Sequence, residues 1–194
     1  MHQIEFLAEA DKLKTVVRRT PLTDASRREN SAEHSWHLAI AALALAEHAG
    51  EVDLLRVLEL VAVHDLVEID AGDTFAYDPD AAQHRTKADR ERAGAKRIFG
   101  LLPSDQAERL HGLWEEFEAG ETRESRFANA LDRLQALVQN LKAGGGSWIE
   151  HQVTRDQVLR RMAPIEVTMP GVWPFVIEVV DRFCDMGAIA DSRR

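Results

Sequence analysis

The 194-residue chain has a single cysteine, Cys184. This excludes an intrachain disulfide and any multi-cysteine zinc site, and it fits a reducing compartment. Long apolar runs are missing as well. No stretch approaches the length that spans a bilayer, and the N-terminal "MHQIEFLAEADKLKTVVRR" carries acidic residues early, without the continuous apolar core of a signal peptide. The expectation is a cytoplasmic protein with no membrane partner. Positive charge is also scarce: 24 Lys and Arg stand against 33 Asp and Glu, a formal net charge of -9. Polymeric nucleic acid is therefore not an expected partner, although a local basic cluster can still hold one phosphate. Alternating strand-like runs are nearly absent, and there is no internal repeat or low-complexity tract.

What is present is 45% hydrophobic and 29% charged residues, the balance of a soluble globular protein. The length suffices for a substantial core without disulfides or a structural metal, so one domain over residues 1–194 is expected. Apolar residues recur at three- and four-residue spacing, which predicts an all-α chain. Helices are expected near 2–17, 31–48, 52–71, 85–100, 103–118, 123–143, 150–162 and 173–187. Asn30 or Ser31, with Glu33, provides a start signal for the second of these. "GDTFAYDPD" reads as a loop, "KAGGGSW" at 142–148 as the most flexible connection, and "MPGVWP" as the turn into the last helix.

Chemistry concentrates in "VAVHDLVEIDAGD", residues 61–73, where an otherwise apolar helical stretch carries a His-Asp pair and further carboxylates. Each unpaired ionised group in an apolar interior costs several kcal/mol, so these residues must be paired, neutralised or bound to something. Neighbours on a helix lie about 100° apart, so His64 and Asp65 converge only near the border of two faces. Glu68 follows one turn later on the same surface. The preceding helix, "SAEHSWHLAIAALALAEHAG", is apolar almost all round, which marks it as buried. It points His34 inward with Leu38, Ala41 and Leu45. In "FANALDRLQALVQNL", Asp132 sits at the edge of a stripe of Ala128, Leu131, Leu134 and Val138. A lone histidine on such a face is more often a satisfied core residue, and a lone aspartate at a stripe edge is more often solvated or ion-paired. Together, two imidazoles and two carboxylates form an N/O set suited to a divalent transition metal, with positions left for water and substrate. The four tryptophans, Trp36, Trp114, Trp148 and Trp173, read as packing residues.

The order His34, His64-Asp65, Asp132 resembles the H…HD…D signature of the HD-domain metal-dependent phosphohydrolases. The segments "RRENSAEHSW", "VHDLVEIDAGD" and "NALDRLQAL" fall in the expected order on predicted helices. The wording is most similar to the 5'-deoxynucleotidase and HD domain-containing protein 2 group, over roughly residues 5–142, and fades beyond "GGGSW". The resemblance implies a compact HD-domain helical bundle with a core near 5–142 and C-terminal helices near 150–187 packed on it. It implies that His34, His64, Asp65 and Asp132 hold one divalent ion, which could be Mn, Co, Mg, Zn, Fe or Ni. Glu68 and Asp73 match the acidic positions that serve the hydrolytic step in that branch; the resemblance does not divide their roles, and Glu68 is favoured here as the acid/base with Asp73 as the partner for attacking water or leaving group.

Arg18 matches the arginine that the nucleotidase branch uses near its substrate; Arg27, Arg28 and Lys87 are further cation candidates. Glu33 is a candidate contact for a substrate hydroxyl as well as a cap. Arg19 stands where the bacterial deoxynucleotidases have tryptophan, so sugar discrimination does not carry over. His37 matches no ligand and reads as a core or supporting histidine. The implied activity is hydrolysis of (deoxy)nucleoside 5'-monophosphates to nucleoside and phosphate by a homodimer. A phosphodiester, a nucleoside triphosphate, a non-nucleotide phosphate or a non-catalytic metal-binding module are the alternatives.

Overall fold

In the computed structural model, residues 2–77 and 81–191 are described, with the side chains of 81–85 excepted. The first departure from the expected helices comes early. Helix α1 (His2–Ala10) passes into a 3-10 turn (Asp11–Thr15) and then into a strand, β1 (Val17–Pro21), where a helix to residue 17 was expected. The β-branched run Thr15-Val16-Val17 disfavours helix and suits an extended backbone. Strand β1 pairs antiparallel with β2 (Arg28–Asn30), matching Val17 with Asn30 and Pro21 with Arg28. Pro21 lacks an N–H, which a two-stranded ribbon tolerates at its end.

Asn30 ends the ribbon and starts α2 (Ser31–Leu45). Its Oδ1 accepts the Glu33 N–H at 3.0 Å while the Glu33 carboxylate accepts the Asn30 N–H at 3.2 Å, closing a capping box. Helix α2 buries Ser31, His34, Leu38 and Ala42, but it is not buried all round: Trp36 is 66%, Ile40 46% and Leu43 55% exposed. Trp36 thus departs from its expected packing role, whereas Trp114 and Trp148 lie in the core.

Helix α3 (Leu54–Val63), capped by Asp53, stops at His64 where a continuous helix to residue 71 was expected. Residues 64–67 form a turn before the short α4 (Glu68–Ala71). Through this stretch the amide bonds tighten to i→i−3, as in Leu66 to Val63 and Glu68 to Asp65. A three-residue turn rotates successive side chains by about 120°, so the helical phase that buries α3 is reset just where the polar residues begin.

The chain continues through α5 (Ala81–Phe99), α6 (Ser104–Ala119) and α7 (Arg123–Lys142). Helix α7 lies against α2, α3, α6 and α9, which puts the middle of α7 at the centre of the molecule. The glycines after it form a specified turn and not a loose connection. Gly144, Gly145 and Gly146 all have positive φ, and Asn140 Oδ1 accepts both the Ser147 N–H (2.8 Å) and its hydroxyl (3.0 Å). The expected helix 150–162 divides into α8 (Gly146–Glu150) and α9 (Arg155–Thr168). Helix α9 runs on through Pro164 because its buried Val158, Met162 and Ile165 hold it against α7. The last helix, α10 (Trp173–Asp185), packs on α9, and buried residues from Leu13 to Ile189 belong to one apolar cluster. Among the described residues the fold is all-helical apart from the β1–β2 ribbon and a single bridge between Thr154 and Ala190. No helix among the described residues is long and apolar enough to cross a membrane.

Candidate active site

The carboxylates of Asp65, Glu68, Asp73 and Asp132 converge on the guanidinium of Arg18, which the β1 strand carries inward, with His34 against Asp65 and Asp132 and His64 against Asp65. The Arg18 nitrogens lie 2.7 Å from Asp65, 3.6 Å from Glu68, 3.8 Å from Asp73, 3.8 Å from Asp132 and 3.9 Å from Glu29. A cavity of ≈ 280 Å³ opens over this cluster, bounded among others by Phe75, Tyr77, Lys87 and Arg133.

The histidines are oriented by their far nitrogens. His64 Nδ1 lies 2.9 Å from the Val61 carbonyl, which can only accept, so Nδ1 carries a proton and Nε2 is turned toward the cluster. For His34 the orientation comes from a polar layer beneath it. The Gln135 amide nitrogen donates to Glu29 (2.8 Å) and faces His37 Nδ1 (3.1 Å), which turns Gln135 Oε1 toward His34 Nδ1 at 3.2 Å. Gln139 also donates to Glu29, at 2.7 Å. Both Nε2 atoms therefore aim into the cluster, buried and without a hydrogen-bond partner. Yet His64 Nε2 is 3.1 Å from Asp65 Oδ1, and His34 Nε2 is 3.1 Å from Asp132 Oδ1. Lone pairs facing carboxylate oxygens repel unless a proton or cation lies among them. Donor atoms of His34, His64 and Asp65 lie within 4.8 Å of one another, so this trio could hold a metal ion, with Asp132 beside it. The buried, unpartnered imidazole nitrogens and the adjoining carboxylates fit a divalent cation, and the Nδ1 partners are the supporting shell such ligands require.

Charge within the cluster follows the same demand. Burial and Arg18 both act to lower the His34 pKa, yet Asp132, Glu29 and Asp65 outweigh them and raise it to about 9. Burial opposes ionisation of Asp65 and Asp132 too, but His64 and Arg18 hold Asp65, and His34 and Arg161 hold Asp132, below the usual carboxylate range. Glu68 goes the other way: burial, then the charge of Asp65, push it up to about 8 against the pull of Arg18. Ser31 donates its hydroxyl to Glu68 Oε2 at 2.7 Å.

A pH dependence follows for the metal-free protein. A folded-state pKa above the ordinary value of 4.5 means that the folded chain binds the extra proton. The contribution of Glu68 is fully favourable below about pH 4.5 and is lost as pH rises through about 8. Glu68→Gln, a permanently neutral isostere, is therefore expected to raise the thermal midpoint of the chelator-treated protein at pH 8 by a few degrees and to leave it nearly unchanged at pH 5. Equal effects at both pH values would contradict the assignment. In the metal-loaded protein the same substitution is expected to keep metal, since Glu68 is not one of the trio of donors that could hold it.

The remaining expected positions divide. Asp73 lies at the cavity, its Oδ2 accepting the Arg19 N–H at 3.3 Å, and Lys87 lines the cavity while paired with Glu91 at 3.2 Å. Glu33 does not reach this cavity: it closes the α2 capping box and accepts two bonds from Arg27. Arg27 is thereby engaged at the surface, and Arg28 pairs with Glu150. Glu29, Gln135 and Gln139 were not anticipated. The signal was there in part, since Asp132, Gln135 and Gln139 sit three and seven residues apart on one face of α7.

The HD domain family model matches residues 10–173, most of the chain. The chain belongs to the HD domain family. The family match extends well past the "GGGSW" turn, beyond the segment in which the sequence wording is recognisable. A predicted metal-dependent phosphohydrolase from Magnetospirillum magnetotacticum MS-1, known by its crystal structure, is 48% identical and superimposes with a TM-score of 0.89 over 97% of either chain. The human 5'-deoxynucleotidase HDDC2 is 31% identical over 139 residues, 70% of this HD-domain chain but only 65% of the human protein. A 5'-deoxynucleotidase from Klebsiella pneumoniae is 27% identical over 181 residues, covering 87% of this chain and 90% of the bacterial one.

Proposed function

We propose that this HD-domain protein is a metal-dependent phosphomonoesterase that hydrolyses (deoxy)nucleoside 5'-monophosphates to nucleoside and inorganic phosphate. The observation that carries the reading is the pair of buried, unpartnered Nε2 atoms of His34 and His64, aimed with Asp65 at one point below a cavity that also holds Glu68 and Arg18. The deoxynucleotidases among its relatives support the substrate class.

In this reading His34, His64, Asp65 and Asp132 hold one divalent ion, which supplies Lewis acidity toward a phosphate oxygen and acidifies water. Glu68 is the proton carrier. Ser31 occupies its Oε2, so the proton sits on Oε1, the atom left to donate to the departing 5'-oxygen. Asp73 is the second carboxylate, approaching the same Arg18 Nη1 as Glu68 and serving the attacking water. Arg18 holds the carboxylates in register and offers its fork to the phosphate. The modest cavity suits one nucleotide better than a polymer.

We further read residues 1–194 as one HD domain working in the cytoplasm as a homodimer. The exposed apolar stripe of Trp36, Ile40 and Leu43 supports a second copy covering α2.

The test is release of inorganic phosphate from ribo- and deoxyribonucleoside 5'-monophosphates with Mn, Co, Mg or Zn. Metal-dependent release from at least one is the expected result, and the panel reads the sugar preference left open by Arg19. Release of pyrophosphate or triphosphate from triphosphates, or cleavage of phosphodiesters only, would overturn the monoesterase reading. Metal and nucleotide binding without turnover of any ester would leave a non-catalytic module.

A further inference from the structure

The cations around the cavity are not equivalent. Arg18 lies within 4 Å of carboxylates on several sides, Lys87 is paired with Glu91, and Arg161 reaches Asp132 Oδ2 at 3.3 Å. Their charge is already balanced within the protein. Arg19 lines the cavity from an exposed position on the ribbon. Arg19, like Arg133, has no described carboxylate pairing with its side chain, but Arg133 alone of the two is withdrawn from solvent and anchored. It is half-buried, lines the cavity, and has no described carboxylate within 4.0 Å. Its described hydrogen-bond partners are neutral: Nη1 donates to the Asn129 carbonyl at 2.6 Å and to Asn129 Oδ1 at 3.0 Å, while Asp132 and Glu118 act on it only from beyond ion-pair distance and Arg161 opposes them.

Asn129 is itself fixed. Its amide nitrogen donates to the Phe117 carbonyl at 2.7 Å and the Ser125 carbonyl at 3.0 Å, which leaves Oδ1 turned to Arg133. One end of the guanidinium is thereby anchored, while Nη2 and Nε have no described acceptor. A guanidinium held at one end with its other donors unspent is prepared for a planar, two-point acceptor. A phosphate monoester carries close to two negative charges at neutral pH and must enter a cavity rich in carboxylates. A cation whose charge is not already offset by the protein is what admits it.

The geometry points to Arg133 as a phosphate-binding residue: its free donors receive the non-bridging oxygens of the substrate phosphate, and Asn129 is the positioning residue that holds the fork. This inference rests on the phosphomonoesterase reading for its substrate but not for its anion. Nothing in the sequence pattern marks this role, because an arginine one position after Asp132 suggests an ion pair with that aspartate. In the structure Arg161, from α9, takes that place.

The experiment uses inorganic phosphate as probe, on the full-length metal-loaded protein. Arg133→Met, which keeps the stem, is expected to raise the phosphate inhibition constant and the KM for a turned-over nucleotide about ten- to a hundredfold. Metal affinity, measured by competition with a chromophoric chelator, should stay within about threefold, separating this role from a structural one. Arg133→Lys keeps the charge without the fork and is expected to recover part of the loss. It also carries the test should the methionine variant fail to fold, since a severalfold rise is then expected from the lysine variant alone.

Phosphate constants within twofold of wild type in both variants, with nucleotide turnover intact, would overturn the Arg133 assignment and leave the nucleotidase reading standing. If no nucleotide is hydrolysed but phosphate binds wild type and not Arg133→Met, as read by calorimetry, the anion site holds and the nucleotidase reading falls. A parallel loss of metal would also overturn the assignment, since Arg133 would then act through Asp132.

Discussion

Asp65→Ala is expected to lose stoichiometric metal binding and to lower turnover by about a thousandfold or more. Asp65 is the joint of the cluster: Oδ1 lies 3.1 Å from His64 Nε2, and Oδ2 lies 3.8 Å from His34 Nε2 and accepts Arg18 at 2.7 Å. Removing it takes away the one carboxylate among the described residues that lies within 4 Å of both imidazole Nε2 atoms, and His34, His64 and Asp132 alone make a weaker site for a hard-to-borderline divalent ion. Metal-assisted charge stabilisation is worth several kcal/mol, and about 4 kcal/mol corresponds to a factor of a thousand. The fold should persist, because Glu29, Glu68, Asp73 and Asp132 still lie within 4 Å of the Arg18 guanidinium. Metal content after gel filtration, thermal unfolding and phosphate release on one preparation check the three parts together. Retained metal with turnover within tenfold of wild type would remove Asp65 from the ligand set.

That such a site was legible beforehand depended on residue types that an apolar helix cannot tolerate without a reason. His34, His64 and Asp65 stand out against Leu38, Val61 and Val63 because burial of each is costly, so their sequence neighbours already announce the cluster. The β1–β2 ribbon was invisible by the same logic turned round. Its inward side chains, Arg18 and Glu29, are charged, so the alternation that marks a half-buried strand has no apolar phase to detect. The break at His64 was hidden too, since a helix and a sequence of tight turns differ there only in whether amides reach back four residues or three. Gln135 and Gln139 carry no signal of their own in the sequence, because their role depends on the ribbon bringing Glu29 against them. Helix α2 erred the other way: apolar on all sides, it was expected to be buried, yet nothing within the described chain covers Trp36, Ile40 and Leu43. Periodicity reports what a helix could bury, and only the arrangement of its neighbours decides which face they reach.

Arg18→Met is expected to destabilise the metal-free protein by about 3–5 kcal/mol, the cost of leaving buried charges uncompensated. For a chain of this size that corresponds to a fall of about 6–20 °C in thermal midpoint. The reasoning is electrostatic and has a direction in pH. Asp65, Glu68, Asp73, Asp132 and Glu29 all approach the guanidinium within 4 Å. The charge of Arg18 helps to hold Asp65 and Asp132 low and restrains the rise of Glu68. Without it, the folded-state carboxylate pKa values rise, and the folded chain binds more protons than the unfolded one above pH 4. The deficit should therefore shrink on acidification toward pH 4–5 and be largest at pH 8. A divalent ion bound at the His34–His64–Asp65 cluster supplies positive charge to the same carboxylates, so loading should restore most of the lost midpoint in the variant and add less to wild type. A loss of equal size with and without metal would mean that Arg18 acts by packing, through its stem, and not as the cation that holds the cluster together. Loss confined to the chelated protein, joined to a raised KM in the loaded one, would show both sides of this residue: a counter-charge for the carboxylates when the ion is away, and a ligand for phosphate when it is bound.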